Sequence, residues 1–180
     1  MPRAIIILAD GFEEIEAIAP IDLLRRAGIE VLTAGLGKSQ ITAAHGLKVV
    51  CDEIFDVKKH GAFDALILPG GMPGTNNLME NGDVIQAVKD YFAQGRLCCA
   101  ICAAPKVFAK AGILKNRKFT CFPSVEKEIP QAQYCDDVAV RDENIITGKA
   151  AGTSIDFACV IIESLLDEED AAAVLDKIYY

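Results

Sequence analysis

Three short runs of apolar residues, Arg3 to Ala9, Ala65 to Leu68 and Arg96 to Ile101, constrain this chain more than any other feature. Each is too short and too continuously apolar for a surface helix. A strand with one wet face would alternate apolar and polar residues. A strand that stays apolar throughout must be covered on both faces, which is the condition of a parallel sheet between helices. The segments between the runs supply those helices. From about Glu13 to Ala27, Ile15, Ile18, Ile21 and Leu24 recur at helical spacing, Pro20 is expected to kink the helix or mark its effective start, and Gly28 ends it.

Further along, Glu30 to Ala34 reads as a strand, and Ile41 with Leu47 to Cys51 as a hairpin. Asp83 to Gln94 is an amphipathic helix, and Ala103 to Ala111 a helix stopped by Gly112. A strand is expected near Phe119 to Cys121, followed by a hairpin from Val138 to Thr147 turning at Asp142-Glu143-Asn144. Helices from Thr153 to Leu166 and Glu168 to Ile178 complete the series. No repeat, low-complexity stretch or linker interrupts the alternation, which predicts one α/β sandwich over residues 1–180. With 180 residues and 52% hydrophobic content, the chain can bury a single sizeable core.

The net charge of −8 disfavours nucleic acid or an anionic membrane as the main partner and leaves small molecules or proteins. No apolar stretch approaches the ~18 residues that suggest a membrane span. An odd count of seven cysteines and a start without signal-peptide design lead to the expectation of reduced thiols in a cytoplasm.

Within this frame Cys102 stands out. The run Arg96-Leu-Cys-Cys-Ala-Ile-Cys-Ala-Ala-Pro105 ends a strand on a thiol and then opens a helix with small residues, the arrangement of a nucleophile elbow. The positive end of that helix is expected to favour the thiolate, the form that attacks electrophiles or meets peroxide. A buried packing cysteine is the competing reading, because free cysteine behaves as a small hydrophobe.

Open α/β sheets bind ligands beyond the carboxyl ends of their strands, where the loops Asp10 to Glu16 and Pro69 to Gly74 also fall. Glu13, Glu14 and Glu16 crowd the first turn of the first helix, where acidic residues commonly complement the dipole. One of them, turned into an apolar crevice beside a thiolate, would have a raised pKa and could carry a proton. Gly70 and Gly71 let the backbone approach a ligand closely, and with the N–H of Ala103 they could form an oxyanion hole. A tight turn is the plainer explanation of that pair.

Cys99-x-x-Cys102 resembles a redox or zinc motif, but Cys99 lies inside the strand and no second paired Cys/His motif exists, so no metal or other cofactor is expected. The remaining cysteines read as packing residues, with Cys51 and Cys135 as the more exposed thiols. Of the two histidines, His60 reads as a solvated helix end and His45 as a hairpin tip or subunit boundary. A Cys-His dyad has thin support.

Five ordered motifs, Ala9-Asp-Gly-Phe-Glu-Glu-Ile-Glu16, Arg25-Arg-Ala-Gly28, Leu68-Pro-Gly-Gly71, Ala100-Ile-Cys-Ala-Ala-Pro105 and Gly152-Thr-Ser-Ile-Asp-Phe157, together resemble the DJ-1/ThiJ/PfpI superfamily and its DJ-1-like branch. The resemblance implies a flavodoxin-like three-layer sandwich with a mainly parallel central sheet, usually assembled as a homodimer. It implies Cys102 as the reactive cysteine, Glu16 as its protonated partner, and Gly71 with Ala103 as oxyanion-binding amides. The implied substrates are small reactive carbonyl compounds, converted by a cofactor-free glyoxalase- or deglycase-type reaction. An oxidation-sensing or chaperone-like protein, with Cys102 oxidised to sulfinic acid without turnover, is the alternative.

The chain departs from the pattern in three places. Phe122 stands before Pro123 where DJ-1-like relatives often carry histidine, so a proton-shuttling imidazole is missing. Ala103 replaces the histidine that follows the nucleophile in protease-like relatives, and Thr147-Gly-Lys-Ala-Ala151 departs from the family's usual Ser-Arg-Gly-Pro-type loop. His45 falls where relatives often place an arginine at the dimer interface, and is expected to reach the partner subunit's site.

Overall fold

Strands β1 (Arg3–Leu8), β6 (Ala65–Leu68) and β7 (Leu97–Ile101) lie side by side at the centre of the molecule, where the three apolar runs put them. The computed structural model describes residues 1–180. Around these strands, in chain order, come α1 (Glu14–Arg26), β2 (Glu30–Gly35), the hairpin β3 (Gln40–Thr42) and β4 (Lys48–Val50), and β5 (Glu53–Ile54). After β6 follow α2 (Gly74–Glu80) and α3 (Gly82–Ala93), and after β7 come α4 (Pro105–Ala111), β8 (Lys118–Phe119) and β9 (Gln133–Tyr134). The chain ends with β10 (Ala139–Asp142), β11 (Ile145–Gly148), α5 (Ser154–Leu165) and α6 (Glu168–Ile178).

The main sheet has the order β10-β11-β7-β6-β1-β2-β5, and every pairing is parallel except β10 with β11. Period-two alternation sends Ala4, Ile6 and Leu8 into one apolar layer with Ala17, Leu24, Phe157 and Ile161 of α1 and α5. Ile5 and Ile7 enter the opposite layer with Val84, Val88, Val107 and Phe108 of α3 and α4. The continuous apolar run is therefore two half-faces, each buried by its own helices.

Because β7, β6 and β1 are neighbours, the loops leaving their carboxyl ends emerge together. The chain passes from β1 to β2 on one side and later returns to β6 on the other, which opens a crevice between the loops after β1 and β6.

Several expectations need correction. Helix α1 begins at Glu14 and runs through Pro20, so the proline is not its start. Its buried stripe is Glu16, Ala17, Pro20, Ile21, Leu23 and Leu24, while Ile15 and Ile18 are 54% and 40% exposed. Cys51, directly after β4, is buried, and of the pair only Cys135 is partly exposed. His60 is also buried: its Nδ1 accepts the Asp56 N–H at 3.1 Å, its Nε2 donates to Glu53 at 3.0 Å, and Phe55 and Phe63 flank its ring. The strand expected near Phe119 to Cys121 is β8, two residues long and ending at Phe119, whereas the helix α2 and the short strands β5 and β9 have no counterpart in the sequence reading.

Candidate active site

Cys102 forms the elbow between β7 and α4. Its φ of 65° places a non-glycine residue in the left-handed region, a conformation that costs about 1–3 kcal/mol and persists only where the surroundings over-determine it. They do so here at both of its peptide groups. The Cys102 N–H donates to the Gly148 carbonyl at 2.9 Å, and the Cys102 carbonyl accepts the Phe122 N–H at 2.8 Å. The thiol is thereby turned out of the strand, toward the amides of Gly71 and Ala103.

Glu16 comes from the buried face of α1 and has no exposed surface. Its Oε2 accepts the Gly70 N–H at 2.9 Å, and its Oε1 has no hydrogen-bond partner. Gly70 is the hinge of the arrangement. A Cβ there would stand 2.6 Å from Glu16 Oε2 and 2.8 Å from the Cys102 Cβ, so a glycine is required for carboxyl and thiol to meet. Gly71, at φ +89°, lies against the backbone of Gly11 and Glu13, and the Glu13 N–H donates to the Gly70 carbonyl at 3.0 Å. The loops after β1 and β6 are thus stitched together beside the thiol.

Burial raises the Glu16 carboxyl to about 7, against the lowering effect of the Cys102 and Gly70 contacts, with Glu13 adding repulsion. Burial also raises the Cys102 thiol, to about 12, reinforced by the neighbouring Glu16 carboxyl and opposed by the Ala103 and Gly71 amides. The expectation of a thiolate favoured by the helix end is corrected here. Helix α4 is only 7 residues long and starts at Pro105, beyond the elbow, so its dipole is outweighed by burial and a like charge. Two acids in one buried site cannot both ionise easily, so the pair titrates as a unit. A thiolate at neutral pH then needs its proton on Glu16.

Glu16, Gly70, Gly71, Cys102 and Ala103 therefore converge. His45 does not enter the crevice of its own chain. It sits exposed on the rim, where its N–H and Nδ1 bond the two oxygens of Glu14 at 2.8 and 2.9 Å. Sequence reasoning gave no role to Gly148 or Phe122 as the groups that clamp the elbow. At Gly148, contacts of 2.9 Å from a would-be Cβ to Ile101 and Phe157 show why no side chain fits.

A model of the DJ-1/PfpI family matches residues 2–164. The chain belongs to this family. Among DJ-1/PfpI relatives, the Parkinson disease protein 7 homolog of Danio rerio is 37% identical over 177 residues, covering 96% of this chain and 94% of that protein. A Caenorhabditis elegans relative named glutathione-independent glyoxalase DJR-1.2 is 35% identical over 173 residues, covering 95% and 92%. The crystal structure of a DJ-1 superfamily protein from Salmonella typhimurium matches with a TM-score of 0.95 and 36% identity, covering 100% of this chain and 99% of that one. The flavodoxin-like DJ-1 fold is the fold of this chain.

Proposed function

We propose that the protein converts small α-oxoaldehydes to 2-hydroxy acids through Cys102. The observation that carries the reading is the buried Glu16 carboxyl beside the Cys102 thiol, with the Gly71 and Ala103 amides facing the sulfur. The glyoxalase name of the nematode relative, a statement about that protein, supports the same class of substrate.

The chemistry balances without a redox partner. The Cys102 sulfur, its proton passed to Glu16, forms a bond to the aldehyde carbon. The aldehyde oxygen becomes an alkoxide held by the Gly71 and Ala103 N–H groups and takes up the proton from Glu16. The Glu16 carboxylate then removes the hydrogen on the former aldehyde carbon as a proton, leaving an enediolate; the hydroxyl proton passes from the aldehyde-derived oxygen to the neighbouring oxygen, and Glu16 returns its proton to the neighbouring carbon, giving a 2-hydroxy thioester. Water cleaves the thioester, freeing the 2-hydroxy acid and regenerating the thiol. Net, the aldehyde carbon is oxidised and its neighbour reduced by two internal proton shifts, one between carbons and one between oxygens, and one water is consumed. A carboxyl held near 7 suits this two-way proton traffic at neutral pH.

Homodimerisation belongs to the same proposal. The exposed Ile15 and Ile18 of α1 form, with Ala19, an apolar face bordered by Glu14 and Asp22. A second copy packed there would cover it and bring His45 toward the neighbouring crevice, in place of the arginine that the family resemblance leads one to expect. No helix is long and apolar enough to cross a membrane.

Incubation of methylglyoxal with wild type and Cys102→Ser, with the product identified by NMR, tests the reading. Lactate formed by wild type alone supports it. Oxidation of Cys102 by peroxide with no aldehyde turnover would support the sensing alternative instead.

A further inference from the structure

Two threonines, Thr120 and Thr147, stand behind the elbow with no exposed surface. The Thr120 N–H donates to the Thr147 hydroxyl oxygen at 2.9 Å. The Thr120 hydroxyl donates in turn to the Asp137 carbonyl at 2.8 Å, and the carbonyl of the next residue, Val138, accepts the Lys149 N–H at 3.0 Å. Lys149 is two residues along the chain from Thr147, so these three bonds and two short pieces of backbone close a ring. The ring joins the residue after β8, the residues before β10 and the end of β11. No local pattern in the sequence reveals it, because its three segments meet only in the folded chain.

Both grips on Cys102 depend on this ring. Gly148, whose carbonyl accepts the Cys102 N–H at 2.9 Å, lies within it, between Thr147 and Lys149. Phe122, whose N–H donates to the Cys102 carbonyl at 2.8 Å, is two residues beyond Thr120. The two peptide groups of Cys102 are thus held by two separate pieces of chain, and the Thr120–Thr147 bond fixes those pieces to each other beside the elbow. A second tie, from the Lys118 N–H to Asp142 at 2.7 Å, lies at the other end of β10, where Asp142 pairs with Ile145. The left-handed φ of 65° at Cys102 persists only while both grips keep their spacing. A buried N–H deprived of its acceptor has no water to turn to, so the ring resists opening.

We infer that Thr120 and Thr147 are positioning residues for Cys102: their ring sets the spacing of the Gly148 and Phe122 grips and so keeps the sulfur beside Glu16 and the Gly71 and Ala103 amides. They act through the peptide groups of Cys102. The inference concerns the thiol whatever electrophile it meets, so it stands or falls separately from the aldehyde reaction.

The pH dependence of Cys102 alkylation by iodoacetamide, read peptide by peptide in the full chain, tests the inference without any substrate. In wild type the thiol and Glu16 titrate as a pair, so the rate should rise through about 7, level off, and rise again toward about 12. Thr147→Val keeps the branched shape and removes the acceptor. It should erase the limb near 7 and leave a single limb at least ~1 pH unit below the upper wild-type limb, toward the ordinary thiol value. Thr120→Val opens the ring at its Asp137 link and should shift the profile in the same direction. Thr147→Ser keeps the hydroxyl and should restore the two limbs. Cys98 and Cys99, buried in β7, should stay unlabelled in every variant, which shows that the sheet is intact. A two-limbed profile retained in both valine variants, or a Thr147→Ser profile that matches Thr147→Val, would overturn the inference.

Discussion

Replacing Glu16 with glutamine should change how the stability of this fold responds to pH. A buried carboxyl held at about 7 instead of its ordinary 4.5 prefers its protonated form inside the fold by about 3 kcal/mol. The folded-state value lies above the unfolded one. That contribution is therefore fully present below pH 4.5 and is lost as pH rises through about 7. Glutamine keeps an oxygen for the Gly70 N–H and cannot titrate. Urea unfolding of wild type and Glu16→Gln at intervals from about pH 4.5 to 8 isolates this contribution, because groups not coupled to Glu16 cancel in the difference. The variant should gain on wild type by about 3 kcal/mol across that range. Introducing Cys102→Ser in both backgrounds removes the coupling to the thiol and should leave the sign unchanged. Parallel pH profiles for the two proteins would refute the reasoning.

Other substitutions probe the site and its surroundings. Gly70→Ala forces a methyl group against the Glu16 carboxyl and the Cys102 Cβ, and should destabilise by about 1–3 kcal/mol while abolishing turnover, as read by thermal melts and aldehyde consumption. Phe122→His restores an imidazole at the residue whose N–H holds the Cys102 carbonyl. It should raise kcat by up to ~10²-fold and add a limb near pH 6–7 to the pH–rate profile, whereas an unchanged profile would exclude a proton-transfer role at that position. Ile18→Asp should convert a dimer to a monomer in light scattering, because it puts a charge in the centre of the exposed α1 face.

How far the sequence could be read depends on whether the cause of each feature is local. Strands β1, β6 and β7 were legible because burial on both faces leaves an unbroken apolar run. Glu16 was harder to single out, since three glutamates in a first turn have a sufficient local reason to be there. What separates Glu16 is its place on the same helical face as Pro20, Leu23 and Leu24, and the assumed stripe of Ile15 and Ile18 obscured that face. His60 was misread because its burial is supplied by Glu53, Phe63 and Tyr91, the last of which donates to its carbonyl at 2.6 Å. The direction of the Cys102 shift was misread for a related reason. A helix terminus can be seen in sequence, but the burial and the Glu16 carboxyl that outweigh it are tertiary facts.

The central claim is that Cys102, and no other thiol, meets the carbonyl substrate. Peptide-level alkylation of the native protein, with and without excess glyoxal, tests it most directly. Of the seven cysteines only Cys102 and Cys135 are partly exposed, so both should be alkylated by a small reagent, and glyoxal should protect Cys102 alone. Equal protection of both thiols, or none at Cys102, would contradict the account.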